Sequence, residues 1–125
     1  MPFLTLINVA RPAGSNGKWR MLSPLIYQGN KDSFTVPCGF ETDFASIPSA
    51  FRWLIPRHGK YDAAAILHDF LYVYQPVSRK DADGLFRKVM KELGVGRFKR
   101  HLMYRAVRFG GKKAWLRAAR ARSLG

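Results

Sequence analysis

Apolar positions along the chain change period once, near residue 49. Before that point they fall in short runs: residues 3 to 9 (Phe-Leu-Thr-Leu-Ile-Asn-Val), 18 to 27 (Lys-Trp-Arg-Met-Leu-Ser-Pro-Leu-Ile-Tyr) and 33 to 37 (Ser-Phe-Thr-Val-Pro). These are rich in β-branched and aromatic residues and predict antiparallel strands. The intervening "ARPAGSNGK" and "QGNKD" supply the Gly and Asn that turns require. From Ser49 onward the spacing is helical. One helix is predicted from Tyr61 to about Tyr74, ended by Pro76 because the residue before a proline is biased out of the helical region. It carries Ile66, Leu67, Phe70 and Val73 around much of its girth and should be buried on most sides. A second follows in "SRKDADGLFRKVMKELG", with Ser78 as N-cap, Asp81 three residues on, and Gly94 as the stop. Its apolar positions Ala82, Leu85, Phe86, Val89, Met90 and Leu93 lie at i, i+3, i+4, i+7, i+8 and i+11, a one-sided amphipathic pattern. Phe98, Leu102, Ala106 and Phe109 continue a packing stripe toward the C-terminus. The expectation is an α+β fold, a small N-terminal antiparallel β-sheet packed against a C-terminal group of three to four helices.

A length of 125 residues fits a single domain. Within it, residues 1–40 read as strand-rich, 41–95 as the helical centre and 96–125 as a basic helical tail. No apolar stretch approaches the roughly 20 residues of a membrane span. "MPFLTLINVA" lacks the basic start of a secretion signal, so the chain is expected to be soluble and intracellular when made. The lone Cys38 excludes an internal disulfide and a cysteine-rich zinc site.

Charge changes the picture more. The chain has 22 Lys+Arg against 8 Asp+Glu, a net +14. Ten of these cations lie after residue 96 with no acid among them: Arg97, Lys99, Arg100, Arg105, Arg108, Lys112, Lys113, Arg117, Arg120 and Arg122. Such a block favours a polyanionic partner, whether DNA, an anionic membrane surface or an acidic protein face. The competing account is a solvated basic helix that only maintains solubility.

Candidate chemistry centres on "AAAILHDFLYVY", residues 63 to 74, where His68 and Asp69 interrupt an apolar run and Tyr72 follows one turn after the histidine. The pair is either an active-site base with its anion or a buried polar pair bonded to backbone and to Arg79. A histidine activates water only when its second ring nitrogen is held, usually by a carboxylate. Asp69 projects roughly 100° from His68 on the helix and serves that purpose poorly. Asp83 is better placed, because it borders the apolar stripe of the next helix, joined by the short "QPVS" connection. Asp69 is then available for a cation or a loop. In "TDFASIP", Thr42 or Asp43 can cap a short helix near Ser46. Alternatively Asp43 and Ser46 join His68, Asp69 and Asp83 in one pocket. Ser46 lacks the Gly-x-Ser-x-Gly turn of an exposed nucleophile, and His58, Asp62 and His68 match no zinc spacing.

Two families share these residues. Asp62, Ala64, Ala65, His68, Asp69 and Tyr72, followed by Ala82 and Asp83, resemble the core of phospholipase A2 enzymes, especially the short viral capsid type. That resemblance implies His68 as general base, Asp83 as its orienting carboxylate, and Asp69 as ligand to a calcium ion, with Asp43 and a few carbonyls as the further oxygen ligands. The family's glycine-rich calcium loop is matched only by the single Gly59 of "FRWLIPRHGKY". The chain is also similar to a family of unknown function encoded mostly by tailed bacteriophages and prophages. There the signature is Thr42, Asp43, Ala45, Ser46 and Pro48; His68, Asp69 and Tyr72; and Arg79, Asp83 and Phe86.

Three functions therefore compete. The second resemblance implies a phage origin, and one expectation is then a virion-associated accessory or structural protein of the tail, baseplate or neck, made in the host cytoplasm, with other virion proteins as partners. The first implies a hydrolase of envelope lipid or cell wall. The tail, with Phe98, Tyr104, Phe109 and Trp115 set among its cations, suits a nucleic-acid binder.

Overall fold

The computed structural model describes residues 9–10, 19–29, 33–42 and 61–124. It divides into two compact units, Met1–Asp43 and Phe44–Gly125. The architecture is α+β, with strands in the first unit and, among the described residues, four helices in the second.

Among its described residues the first unit holds five short strands: β1 (Val9–Ala10), β2 (Trp19–Met21), β3 (Leu25–Gln28), β4 (Ser33–Val36) and β5 (Glu41–Thr42). All pairings are antiparallel, in a three-stranded sheet β1-β2-β5 and a separate β3-β4 hairpin. The run expected as one strand over 18–27 is thus two. Pro24 cannot donate to a ladder, so the chain breaks at Leu22–Pro24 and enters a second sheet. Period-2 alternation is clear in β3, where Leu25 and Tyr27 are buried while Gln28 is exposed. The short strand β5 was not expected from the sequence. A turn at Cys38–Gly39, with Gly39 at φ 88°, returns the chain to β2, where the Phe40 carbonyl accepts from Met21 N at 2.9 Å. The expected strand over residues 3 to 8 lies outside the described residues.

The second unit runs α1 (Tyr61–Tyr74), α2 (Arg79–Glu92), α3 (Arg97–Gly110) and α4 (Lys112–Leu124). Helix α1 packs on α2, α2 on α3, and α4 on both α1 and α3. Ala63 to Leu67, Leu71 and Tyr72 of α1 are buried, as are Ala82, Phe86, Val89 and Met90 of α2 and Met103, Ala106 and Val107 of α3. The last turn of α1 emerges from this core, so Val73 and Tyr74 are exposed although the pattern had placed Val73 inside. The Ser78 hydroxyl accepts from Asp81 N at 3.1 Å, which caps α2. Helix α2 ends at Gly94, whose φ of 84° suits glycine.

One glycine is required by a close approach. Helices α3 and α4 are joined by Gly111 alone, and a Cβ there would lie 2.5 Å from both the Tyr72 hydroxyl and the Val107 carbonyl. The carbonyl is backbone and cannot yield. Gly111→Ala is therefore expected to cost about 2–3 kcal/mol in urea denaturation, although alanine is ordinarily the better helix former.

Candidate functional site

A four-group polar cluster lies among the helices of the second unit. Its hub is Asp83, which is fully buried in the first half of α2. Helix periodicity accounts for the placement: Asp83 sits one residue beyond Ala82 and three before Phe86, on the edge of a stripe that is itself buried. One carboxylate oxygen, Oδ1, accepts from His68 Nε2 at 2.7 Å and from the Tyr72 hydroxyl at 2.7 Å. The other, Oδ2, accepts from Arg108 Nη1 at 2.9 Å. Helices α1, α2 and α3 are thereby joined through one carboxylate.

The cluster has a defined protonation state. Burial, the largest effect, lowers the pKa of His68, and the positive charge of Arg79 adds to this; the hydrogen bond and charge of Asp83 oppose both without overcoming them. The ring is neutral. Burial on its own would raise the pKa of Asp83, but the hydrogen bonds from His68, Tyr72 and Arg108 outweigh it, and the carboxyl is held below its usual range. Because an ionised carboxylate only accepts, the imidazole proton belongs on Nε2. Burial first, then the hydrogen bond to Asp83, raises the Tyr72 phenol, which stays protonated and donates. A neutral imidazole with its Nε2–H anchored on a carboxylate carries its lone pair on Nδ1, the electronic arrangement of a general base.

Access is another matter. The His68 side chain has 0% exposure. Its ring packs against Tyr72 at a centroid distance of 4.4 Å and against Phe86 at 4.5 Å. Tyr72 in turn meets Trp115 of α4 edge-on at 5.2 Å, so the fourth helix closes over the cluster. Gln75, at the end of α1 with φ 53°, donates through Nε2 to the Trp115 carbonyl at 2.8 Å.

Arg79 also serves the end of α3. Its Nη2 donates to the Val107 carbonyl at 3.2 Å and to the Arg108 carbonyl, satisfying the last turn of α3 where the helix dipole is negative. Its Nε is buried and has no hydrogen-bond partner among the described residues. Arg108 was read from the sequence as one of the tail's polyanion contacts, yet its guanidinium turns inward to Asp83 with the side chain 33% exposed. Nothing local in the sequence distinguishes Arg108 from its basic neighbours, since the distinction arises from the packing of α3 on α2. Gly111, a break in an otherwise helical run, was the one local sign that something closely approaches the junction.

The remaining candidates fall elsewhere. Asp69 is buried on α1, and Thr42 is buried in β5 of the first unit. Asp43, Ser46, His58 and the "FRWLIPRHGKY" segment lie outside the described residues, as does any meeting of Asp69 with "TDFASIP". Among the described residues no group of three or more His, Cys, Asp or Glu side chains could hold a metal ion. Nor is any described helix long and apolar enough to cross a membrane. The other cations of the tail, from Arg97 through Arg120, lie along α3 and α4.

Residues 19–107 match the family model described as "Protein of unknown function (DUF1353)". No curated protein and no solved structure matches the chain.

Proposed function

We propose, from the premise that the chain belongs to the DUF1353 family, that it is a phage-encoded accessory or structural protein of the virion. In this reading the helical unit is a basic docking module, and the His68–Asp83 cluster locks it rather than turning over a substrate. The observation that carries the locking role is the saturation of Asp83, whose three donors come from α1 and α3 while the carboxylate itself is fully buried. A base must come within hydrogen-bond reach of the proton it removes, and the His68 ring is enclosed by aromatic side chains. Support for a phage origin is the ordered set of motifs: Thr42 to Pro48, His68 to Tyr72, and Arg79 to Phe86.

A second reading is favoured by one observation, the neutral His68 with Nε2 held on Asp83. That is the geometry of a hydrolase acting on envelope lipid or peptidoglycan, with a divalent ion such as calcium as its cofactor. The two readings separate experimentally. Mass spectrometry of purified phage particles is expected to find the chain at a fixed copy number, and purified protein is expected to release neither fatty acid nor muropeptide, with or without added calcium. Absence from particles together with turnover that disappears in His68→Asn would replace the first reading by the second.

A further inference from the structure

Five Lys and Arg of the helical unit, among them Arg97 and Arg100 of the basic tail, come together in one cleft. Between α2 and α3 lies a cleft of about 570 Å³. Arg87, Lys88 and Lys91 line it from α2, and Arg97, Arg100 and His101 from α3. No carboxylate lines it, and no ion pair among the described residues engages any of these five Lys and Arg side chains. Two of them are held in place by neighbours. The Arg87 guanidinium lies over the Tyr104 ring at 4.2 Å, and Arg100 Nη1 donates to the Val95 carbonyl at 3.2 Å.

Two further observations point to a ligand. Gly84 lines the same cleft in the interior of α2, where glycine weakens a helix. Packing does not require it: a Cβ there would meet nothing within 4 Å, and its φ is not positive. A glycine that the fold does not need, on the wall of a cation-lined cleft, leaves room for a group to approach the helix closely. Second, α3 begins at the cleft with Arg97, and its N-cap Gly96 offers no side-chain cap. The partial positive charge of that helix end therefore adds to the side chains.

We propose that this cleft binds the phosphodiester backbone of a nucleic acid. Opposed cations on two helices suit a chain of phosphates, which are contacted mainly by Lys, Arg and helix N-termini. A lipid surface is less well matched: membrane-binding faces set cations around an apolar wedge, and no apolar side chain lines this cleft. The inference rests on the docking role proposed above and names its partner.

The test is fluorescence anisotropy of the full-length chain with a short labelled duplex DNA, titrated at several salt concentrations. With five Lys and Arg engaged, log affinity should fall with log salt at a slope of about −4 to −5. The triple variant Lys88→Gln, Lys91→Gln, Arg97→Gln should lower the magnitude of that slope by about 3. The same charge loss on α4, as Lys112→Gln, Lys113→Gln, Arg117→Gln, should change it by less than half as much. Gly84→Leu removes no charge and fills the cleft; it should weaken binding roughly tenfold or more while circular dichroism shows an unchanged helix content. Equal losses from the two triple variants, or undiminished binding by Gly84→Leu, would overturn the proposal. So would selective loss, in the cleft variants, of binding to phosphatidylglycerol vesicles rather than DNA. If the chain is found on particles but fails these DNA tests, the docking role survives and the nucleic-acid partner does not; the reverse outcome removes the virion role alone.

Discussion

Asp83→Ala is expected to lower the stability of the helical unit by about 3–5 kcal/mol, the cost of breaking a buried charged pair by deleting one partner. Natural domains are stable by only about 5–15 kcal/mol, so the variant should be partly unfolded at room temperature or melt at a much lower one. The magnitude follows from what is left behind. The His68 and Tyr72 donors are both buried and would lose the acceptor they share at 2.7 Å. Each stranded polar group costs about 1–3 kcal/mol. Arg108 differs, because its side chain is 33% exposed and can turn to water. Arg108→Ala should accordingly cost less than Asp83→Ala. Urea denaturation followed by circular dichroism measures both, and similar losses for the two variants would show that Asp83 is not the hub.

Acidification should destabilise the protein in two stages. The folded-state pKa of His68 is lowered below its ordinary value of 6.5 by burial. The unfolded chain therefore takes up the proton first. The stability that His68 contributes is present above about pH 6.5 and is lost as pH falls toward the lowered folded value, by at most about 1.4 kcal/mol per pH unit. Asp83 is also held below its ordinary value of 3.8, by its donors acting against burial. Its contribution is present above that value and is lost as pH falls further, through the folded pKa. Denaturation midpoints should thus fall between about pH 7 and 5 in the native protein and more weakly in His68→Gln, which has no proton to gain there. Equal pH dependence in the two proteins would mean that the imidazole is not the buried neutral group described.

Much of the helical unit was legible because its signals are local. Ser78, Gly94 and Pro76 mark helix boundaries through backbone chemistry, and the 82–93 stripe identifies the buried face of α2. The pairing of His68 with Asp83 was legible for a related reason. A four-residue connection forces two helices antiparallel, and the periodicity of each indicates which polar residues meet. What could not be read was set by tertiary packing. The inward turn of Arg108, the use of Arg79 to satisfy the end of α3, and the cleft between α2 and α3 depend on how the third helix docks. The split of the 18–27 run turned on Pro24, whose lack of an N–H outweighed the strand propensity of its neighbours. Gly84 was the least legible residue of all, since its place on the cleft wall shows only once both helices are in position.

The central claim, that the His68–Asp83 cluster is a structural lock, is tested most directly by a double-mutant cycle on stability. It comprises the native protein, His68→Gln, Asp83→Asn and the double variant, each unfolded in urea at neutral pH. A lock predicts that both single variants are destabilised and that their coupling energy is about 1.5–3 kcal/mol, as expected for contacting members of a buried network. Functional sites are commonly strained and supply little stability. Single variants as stable as the native protein, with a coupling energy near zero, would contradict the lock and return His68 to the role of a catalytic base.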